Sequence, residues 1–347
     1  MSKKVLLAFD DPGGGLAVSS LIESLEEKGF QLNIYAGKLS RGFVKNLHSQ
    51  YLESNIISNE ANEILLACSP DLLITGTSAG NAEQELRNSA YKKNIKSVVI
   101  LDFWKDYSRR WLYADYKVEH LKDTVCVMDY LTKKEMLEEK FPENKLEITG
   151  QPYLDRLFNF ENHNFNADQK AGNLNILFLS QPLNIIGIKD YKIHPFKILL
   201  DALKEYTYGS DKKISLIVKL HPTEELTSEL DNLINEYGSD LMQIEYAGKD
   251  AQLKELINYS QIVFGYNTIA MFESIAMNKR TVSLKVVPVK ESLEQAMITA
   301  GIEIIDSNIK NILNCLLKNS FTGVPKKIFQ NGIRNCLNVI SKELTIN

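Results

Sequence analysis

Apolar and polar positions along this chain follow two alternating periods. Short β-branched runs are followed by longer stretches in which apolar residues recur every three or four positions, the pattern of strands alternating with helices. The run KVLLAF at Lys4–Phe9 reads as a first parallel strand that breaks at DDPGGG (10–15). Residues 16–28 then place Leu16, Val18, Leu21, Ile22 and Leu25 at helical spacing and stop at Gly29, so one helix is predicted there. With a strand over 30–36, this start is a βαβ unit. Further strands are predicted at 72–75, 98–101, 124–128 and 146–149, with helices through Glu83 and Glu85 and over 131–141. The stretch FNFENHNFNADQKAGN (158–173) carries no sustained period and reads as a linker. Beyond it the alternation restarts. Strands are predicted at 175–179, 214–220, 242–246, 262–264, 281–284 and 302–305, and helices at 194–206, 227–237, 252–258, 269–277, 307–317 and 326–344. The fold class is therefore α/β, with two Rossmann-like, doubly wound parallel-sheet domains over 1–157 and 174–325 and a terminal helix within 326–347.

Composition narrows the picture. A chain of 347 residues is long for one domain, and 44% apolar with 24% charged residues is ordinary for a soluble globular protein. A net charge of −4 gives no basic field for nucleic acid. Cys68, Cys126, Cys315 and Cys336 form no CxxC pair and read as reduced core residues of a cytosolic protein. The histidines make no HxxxH or HExxH, and neither a metal nor a cofactor is expected. The opening MSKKVLLAFDD has too short an apolar run for a signal peptide, and no stretch reaches the ~18 apolar residues of a membrane span. Membrane contact, if any, is peripheral.

The chemistry gathers at predicted strand ends. In ISLIVKLHPTEE (214–225), Pro222 stops a buried strand and leaves Lys219 and His221 at its carboxyl end, where open α/β sheets bind ligands. Both side chains can meet phosphate oxygens, although a histidine packed at a strand end is the plainer alternative. After the first strand, Gly13 and Gly14 let a substrate approach the backbone and a helix N-terminus, and Asp10 or Asp11 is a candidate general base. An Asp N-cap on a tight turn is the alternative. The glycines do not match GxGxxG, so no dinucleotide fingerprint is supported. Behind the strand at 98–101, DFWKDYSRRW crowds Asp102, Trp104, Tyr107, Arg109 and Arg110; Tyr107, Arg109 and Arg110 can steer an anion, with a solvated surface charge the plainer reading of Arg110. Thr268 opens a helix whose free N–H groups favour an anion, with an ordinary N-cap as its alternative and a solvated helix residue as that of Glu273; Gln181, at another strand end, lines a base pocket or is a plain turn residue.

Two α/β domains with a mid-chain linker and a final helix resemble the GT-B architecture of nucleotide-sugar glycosyltransferases, in which the two domains face each other across a cleft. DFWKDYSRRW (102–111), TGQPYLDRL (149–157), LSQPL (179–183), KLHP (219–222) and GYNTIAMFESIAM (265–277) stand in GT-B order. Together they are similar to bacterial surface-polysaccharide transferases, including the sialyltransferase, polysialyltransferase and CDP-glycerol transferase groups. The resemblance implies that His221 and Pro222, with Lys219, contact the donor phosphate or a cytidine nucleotide. It puts Asn267 and Thr268 at the donor phosphate, where those families commonly have Ser-Ser, and Glu273 at the ribose hydroxyls. Gln181 then lines the base pocket, Asp102, Trp104, Tyr107 and Arg109 lie on the acceptor side, and Asp10 or Asp11 deprotonates the acceptor, with His221 assisting catalysis. The implied activity is metal-independent transfer from a nucleotide sugar, leaning CMP-linked, to a glycan or glycolipid acceptor in the cytoplasm or at the inner membrane face. Hydrolysing nucleotide-sugar 2-epimerases share the fold and are the rival, although their usual His-Arg signature is absent here. A non-catalytic nucleotide-binding subunit is the third reading.

Overall fold

The first strand, β1 (Lys4–Phe9), is buried on both sides. Val5, Leu7 and Phe9 enter one apolar cluster, while Leu6 and Ala8 enter another. A parallel strand covered on both faces needs such a continuous apolar run. This is the computed structural model of the chain, and it describes residues 2–78, 80–111, 117–159, 173–184, 188, 194–209, 212–248, 251–318 and 329–345. The chain divides into two compact units, 1–161 with 327–347, and 162–326.

In unit 1, β1 is followed by α1 (Pro12–Ser19), α2 (Ile22–Glu27), β2 (Gln31–Ala36), β3 (Gln50–Tyr51), α3 (Ser58–Cys68), β4 (Leu72–Thr75), α4 (Ala82–Lys92) and β5 (Lys96–Ile100). It continues with β6 (Thr124–Val127), α5 (Tyr130–Glu138), β7 (Leu146–Ile148) and α6 (Pro152–Asn159). Among the described residues these make a seven-stranded sheet in the order β3-β2-β1-β4-β5-β6-β7, with every pairing parallel. The order reverses between β1 and β4, which creates the switch point where loops leave for opposite faces. The single helix predicted over 16–28 is broken into α1 and α2 at Ser20 and Leu21, where the Leu21 N–H turns to the Val18 carbonyl at 3.0 Å and the Ser20 hydroxyl donates to the Leu16 carbonyl at 2.7 Å.

Unit 2 holds β8 (Asn173–Leu179), α7 (Pro195–Tyr208), β9 (Lys213–Lys219), α8 (Ser228–Tyr237), β10 (Met242–Ala247), α9 (Leu253–Tyr259) and β11 (Ile262–Gly265). After them come α10 (Ile269–Ala276), β12 (Arg280–Lys285), α11 (Glu291–Ala300), β13 (Glu303–Asp306) and α12 (Ile309–Leu317). Its six described strands run β10-β9-β8-β11-β12-β13, again all parallel, and reverse between β8 and β11. The linker read over 158–173 lies outside the described residues except at its ends, where Phe158 and Asn159 close α6 and Asn173 opens β8.

The last helix, α13 (Gly332–Thr345), returns to unit 1. Its Cys336, Leu337, Val339, Ile340 and Leu344 share a cluster with Val98, Ile100 and Cys126 of β5 and β6. Polar ties fix its register: Asp155 accepts the Ile333 N–H at 3.0 Å, Asn335 donates to the Thr149 carbonyl at 3.0 Å, and Thr124 donates to Glu343 at 2.9 Å. All four cysteines are buried and free. No helix among the described residues is long and apolar enough to cross a membrane.

Candidate functional site

At the switch point of unit 1, three strand-end loops and the start of α4 converge on a carboxylate cluster. Asp10 and Asp11 follow β1, Thr77 and Ser78 follow β4, Glu83 lies in the first turn of α4, and Asp102 follows β5. The approach is close enough to require glycine: a Cβ on Gly76 would stand 2.8 Å from Gly14 Cα, and one on Gly13 would overlap Asp102 Oδ2. Asp11 is the N-cap of α1. Its Oδ1 accepts the Gly14 N–H at 2.8 Å, and Pro12 occupies the first helical position, where a missing N–H costs nothing. The capping alternative is thus realised at Asp11, and its second oxygen lies outside that bond. Asp10 is 8% exposed and accepts the Ser54 hydroxyl at 2.9 Å.

Glu83 staples the crevice. One of its oxygens accepts the Asp10 N–H at 2.9 Å and the other the Ser78 N–H at 3.2 Å, which joins the β1 and β4 loops through one buried carboxylate. Asp102 binds both Thr77 and Arg110, and Arg110 also reaches Thr77. Arg110 is therefore not the solvated surface charge its local sequence suggests: it crosses from the β5 loop to the β4 loop and neutralises Asp102. Four carboxylates in proximity, three of them buried and Asp11 half-buried, cannot all ionise freely. Burial, then the Asp102 charge, pushes Asp11 up to about 6, with the Gly14 N–H and Arg110 opposing. Burial, then Asp11, pushes Glu83 up to about 8. Asp10 is raised by burial against the pull of Ser54.

The remaining residues of the 102–111 stretch are placed differently from one another. Trp104 and Tyr107 are buried; the indole N–H donates to Asp129 at 2.7 Å and the phenol to Glu135 at 2.7 Å. Both pack this segment onto α5, which gives an internal reason for the aromatics the sequence reading assigned to an acceptor. Arg109 is exposed.

In unit 2 the corresponding switch point lies between the ends of β8 and β11. Gln181 follows β8, and Tyr266, Asn267 and Thr268 follow β11 into α10. Gln181 is 6% exposed, yet its Oε1 has no hydrogen-bond partner among the described residues, and the buried Tyr266 hydroxyl is likewise unpaired. Buried polar atoms without partners are rare in native folds and mark places where a further group belongs. Thr268 is the N-cap of α10 in extended geometry, but its side chain makes no capping bond. Asn267 accepts from Ser283 at 3.4 Å, and Glu273 is buried one turn into α10. At the end of β9, Lys219 donates to the Gly248 carbonyl at 2.9 Å, and His221 begins a turn closed by Glu224. Glu224 accepts the His221 N–H at 3.1 Å and the Ser180 hydroxyl at 2.9 Å, so the β9 turn is tied to the end of β8. Burial raises its pKa against those two donors. Pro222 is exposed.

Sequence reasoning did not single out Ser54, Thr77, Ser78, Glu83, Ser180, Thr223, Glu224 or Tyr266. The GTSAG loop directly after β4 was the available signal for Thr77 and Ser78, and TEE directly after His-Pro for Thr223 and Glu224. Among the described residues, no group of three or more His, Cys, Asp or Glu side chains is arranged to hold a metal ion.

Neither a protein-family model nor a curated protein sequence matches the chain. Solved structures do. The chain is similar to a Staphylococcus aureus MnaA structure containing UDP, at TM-score 0.72 and 13% identity over 100% of this chain and 98% of that one. A Listeria monocytogenes protein described as a putative UDP-N-acetylglucosamine 2-epimerase matches at TM-score 0.71 and 14% identity, with the same coverage. Anabaena Alr3699/HepE, solved with UDP and glucose, matches at TM-score 0.64 and 10% identity over 99% of this chain and 95% of that one. At these identities the likeness establishes the fold: two parallel-sheet Rossmann-like domains of the GT-B-like kind.

Proposed function

We propose that the chain is a nucleotide-sugar enzyme that breaks the bond between an anomeric carbon and a UDP phosphate, and that it does so as a hydrolysing 2-epimerase. Two things move this reading from the cytidine donor and glycosyl transfer that the sequence motifs suggest. Two similar structures, each covering 98% of the chain, are UDP-N-acetylglucosamine 2-epimerases of Methanocaldococcus jannaschii and Neisseria meningitidis. The carboxylates at the unit 1 switch point, moreover, have pKa values spread apart, which suits a reaction that removes and returns a proton at carbon.

The observation that carries the reading is the Asp11 carboxyl: half-buried, raised to about 6, and flanked by Asp102 and Arg110. A base with a pKa just below neutrality is ionised at working pH and still strong enough to accept a proton. Asp11 takes the proton from C2 while the C1–O bond to phosphate breaks and UDP departs. Water then adds its hydroxyl to C1, and a proton returns to C2 from the other side. The overall change consumes one water and yields UDP and the free 2-epimer. Within unit 2, Lys219, His221 and the N-terminus of α10 are the groups suited to a phosphate that gains charge. Gln181 accepts from the base and Glu273 from the ribose hydroxyls.

Transfer to an acceptor is the second reading, favoured by the likeness to the HepE structure that holds UDP and glucose. Incubation of the purified protein with UDP-N-acetylglucosamine separates the two. UDP and free N-acetylmannosamine without any acceptor are expected, and Asp11→Asn and His221→Ala lower the rate by roughly 10²- to 10⁴-fold. UDP release only when a glycan acceptor is added establishes transfer. Unchanged rates in both variants, or absence of UDP binding, end both readings.

A further inference from the structure

The turn that closes β9 aims two donors at one ring nitrogen of His221. Thr223 stands two residues further on. Its backbone N–H donates to His221 Nδ1 at 3.3 Å, and its Oγ1 lies 2.8 Å from the same nitrogen. The hydroxyl is the closer donor and the backbone N–H the longer one, and a ring nitrogen that accepts from both presents its lone pair, which puts the hydrogen of the neutral imidazole on Nε2. The backbone on either side of the ring is held as well. Glu224 accepts the His221 N–H at 3.1 Å, and its own N–H returns to the His221 carbonyl at 2.8 Å. Pro222 between them has a locked φ. The Ser180 hydroxyl on Glu224, at 2.9 Å, anchors the turn to β8.

We propose that Thr223 is the positioning residue that holds His221 as a neutral imidazole with its hydrogen on Nε2, so that His221 meets the departing phosphate as a hydrogen-bond donor and not as a proton acceptor. The role at phosphate rests on the nucleotide-sugar reading above; the tautomer does not. In this role no proton changes hands: the imidazole keeps its hydrogen, and the phosphate oxygen gaining charge receives a directed donor that is already in place. Lys219, two residues earlier, supplies the positive charge that a neutral ring lacks.

The test is ring-nitrogen NMR of the full chain labelled at histidine, at slightly alkaline pH. The His221 signals are assigned by their loss in His221→Gln. The wild type is expected to show the Nε2–H pattern alone. Thr223→Val keeps the longer backbone N–H contact and removes the closer hydroxyl, and it is expected to move His221 partway from the Nε2–H pattern toward the tautomer mixture of free imidazole. Unchanged signals from the other histidines certify the fold, and Thr223→Ser restores the wild-type pattern. An Nδ1–H pattern or a free-imidazole mixture in the wild type overturns the proposal, as does a Thr223→Val spectrum identical to wild type. Added UDP then tests the phosphate role separately. A shift of the Nε2 signal supports it; a fixed tautomer that ignores UDP removes that role while the positioning by Thr223 stands.

Discussion

Replacing Asp11 by Asn should make the protein more stable and less active at once. Asn retains a side-chain oxygen for the Gly14 N–H, so the cap on α1 survives, while the charge is lost. In the folded chain the carboxyl is raised from 3.8 to about 6. That is a little over two pH units, and at about 1.36 kcal/mol for each, the ionised form costs the fold about 3 kcal/mol. The sign follows from the direction. An acid whose pKa is raised by folding loses stability as pH climbs from its ordinary value through the folded one. The penalty is absent below pH ~4, about half present at pH 5, and complete above pH ~7. The gap between variant and wild type therefore widens over that window to about 3 kcal/mol. Both tryptophans of the chain, Trp104 and Trp111, lie buried in unit 1, so urea unfolding followed by tryptophan fluorescence reports on that unit. A gap that is flat with pH, or an Asp11→Asn protein less stable than wild type at pH 8, refutes the electrostatic account of the cluster.

Three other outcomes are expected. Gly76→Ala should destabilise unit 1 by about 1–3 kcal/mol in the same fluorescence assay, because its Cβ would meet the Gly14 backbone of α1 at 2.8 Å and one of the two backbones would have to shift. Gln181→Leu should raise the thermal midpoint of the free protein, worth about 1 kcal/mol, by removing an unpaired buried oxygen, and should shrink the further rise produced by UDP. Ile340→Ala, truncating a fully buried side chain on α13, should cost about 2–5 kcal/mol in the tryptophan transition.

The strands were legible because parallel strands covered on both faces need unbroken apolar runs, and KVLLAF or ISLIVK can hardly be read otherwise. The two-residue edge strand β3 was not, since Gln50 and Tyr51 are exposed and carry no apolar signal. The break between α1 and α2 was hidden because the apolar stripe from Leu16 to Leu25 runs across it. The strand-end residues Asp11, His221 and Thr268 could be named because Pro and Gly mark where strands stop. Their partners could not. Glu83 meets Asp10 across 73 residues of sequence, and Ser180 meets Glu224 across 44, only because the strand order brings β4 beside β1 and β9 beside β8. Arg110 shows the same limit, since only the β4 loop above it makes an apparent surface charge an internal one.

The return of α13 to the first sheet has a consequence for biogenesis. Unit 2 is an insertion within unit 1, and residues 162–326 form a contiguous stretch able to close on itself as it emerges from the ribosome. The β-sheet of unit 1 is translated first, and the helical layer over it is completed last. Until Cys336 to Leu344 arrive, the apolar face around Val98, Ile100 and Cys126 stays uncovered, so a nascent chain stalled before that helix is the species that chaperones should capture.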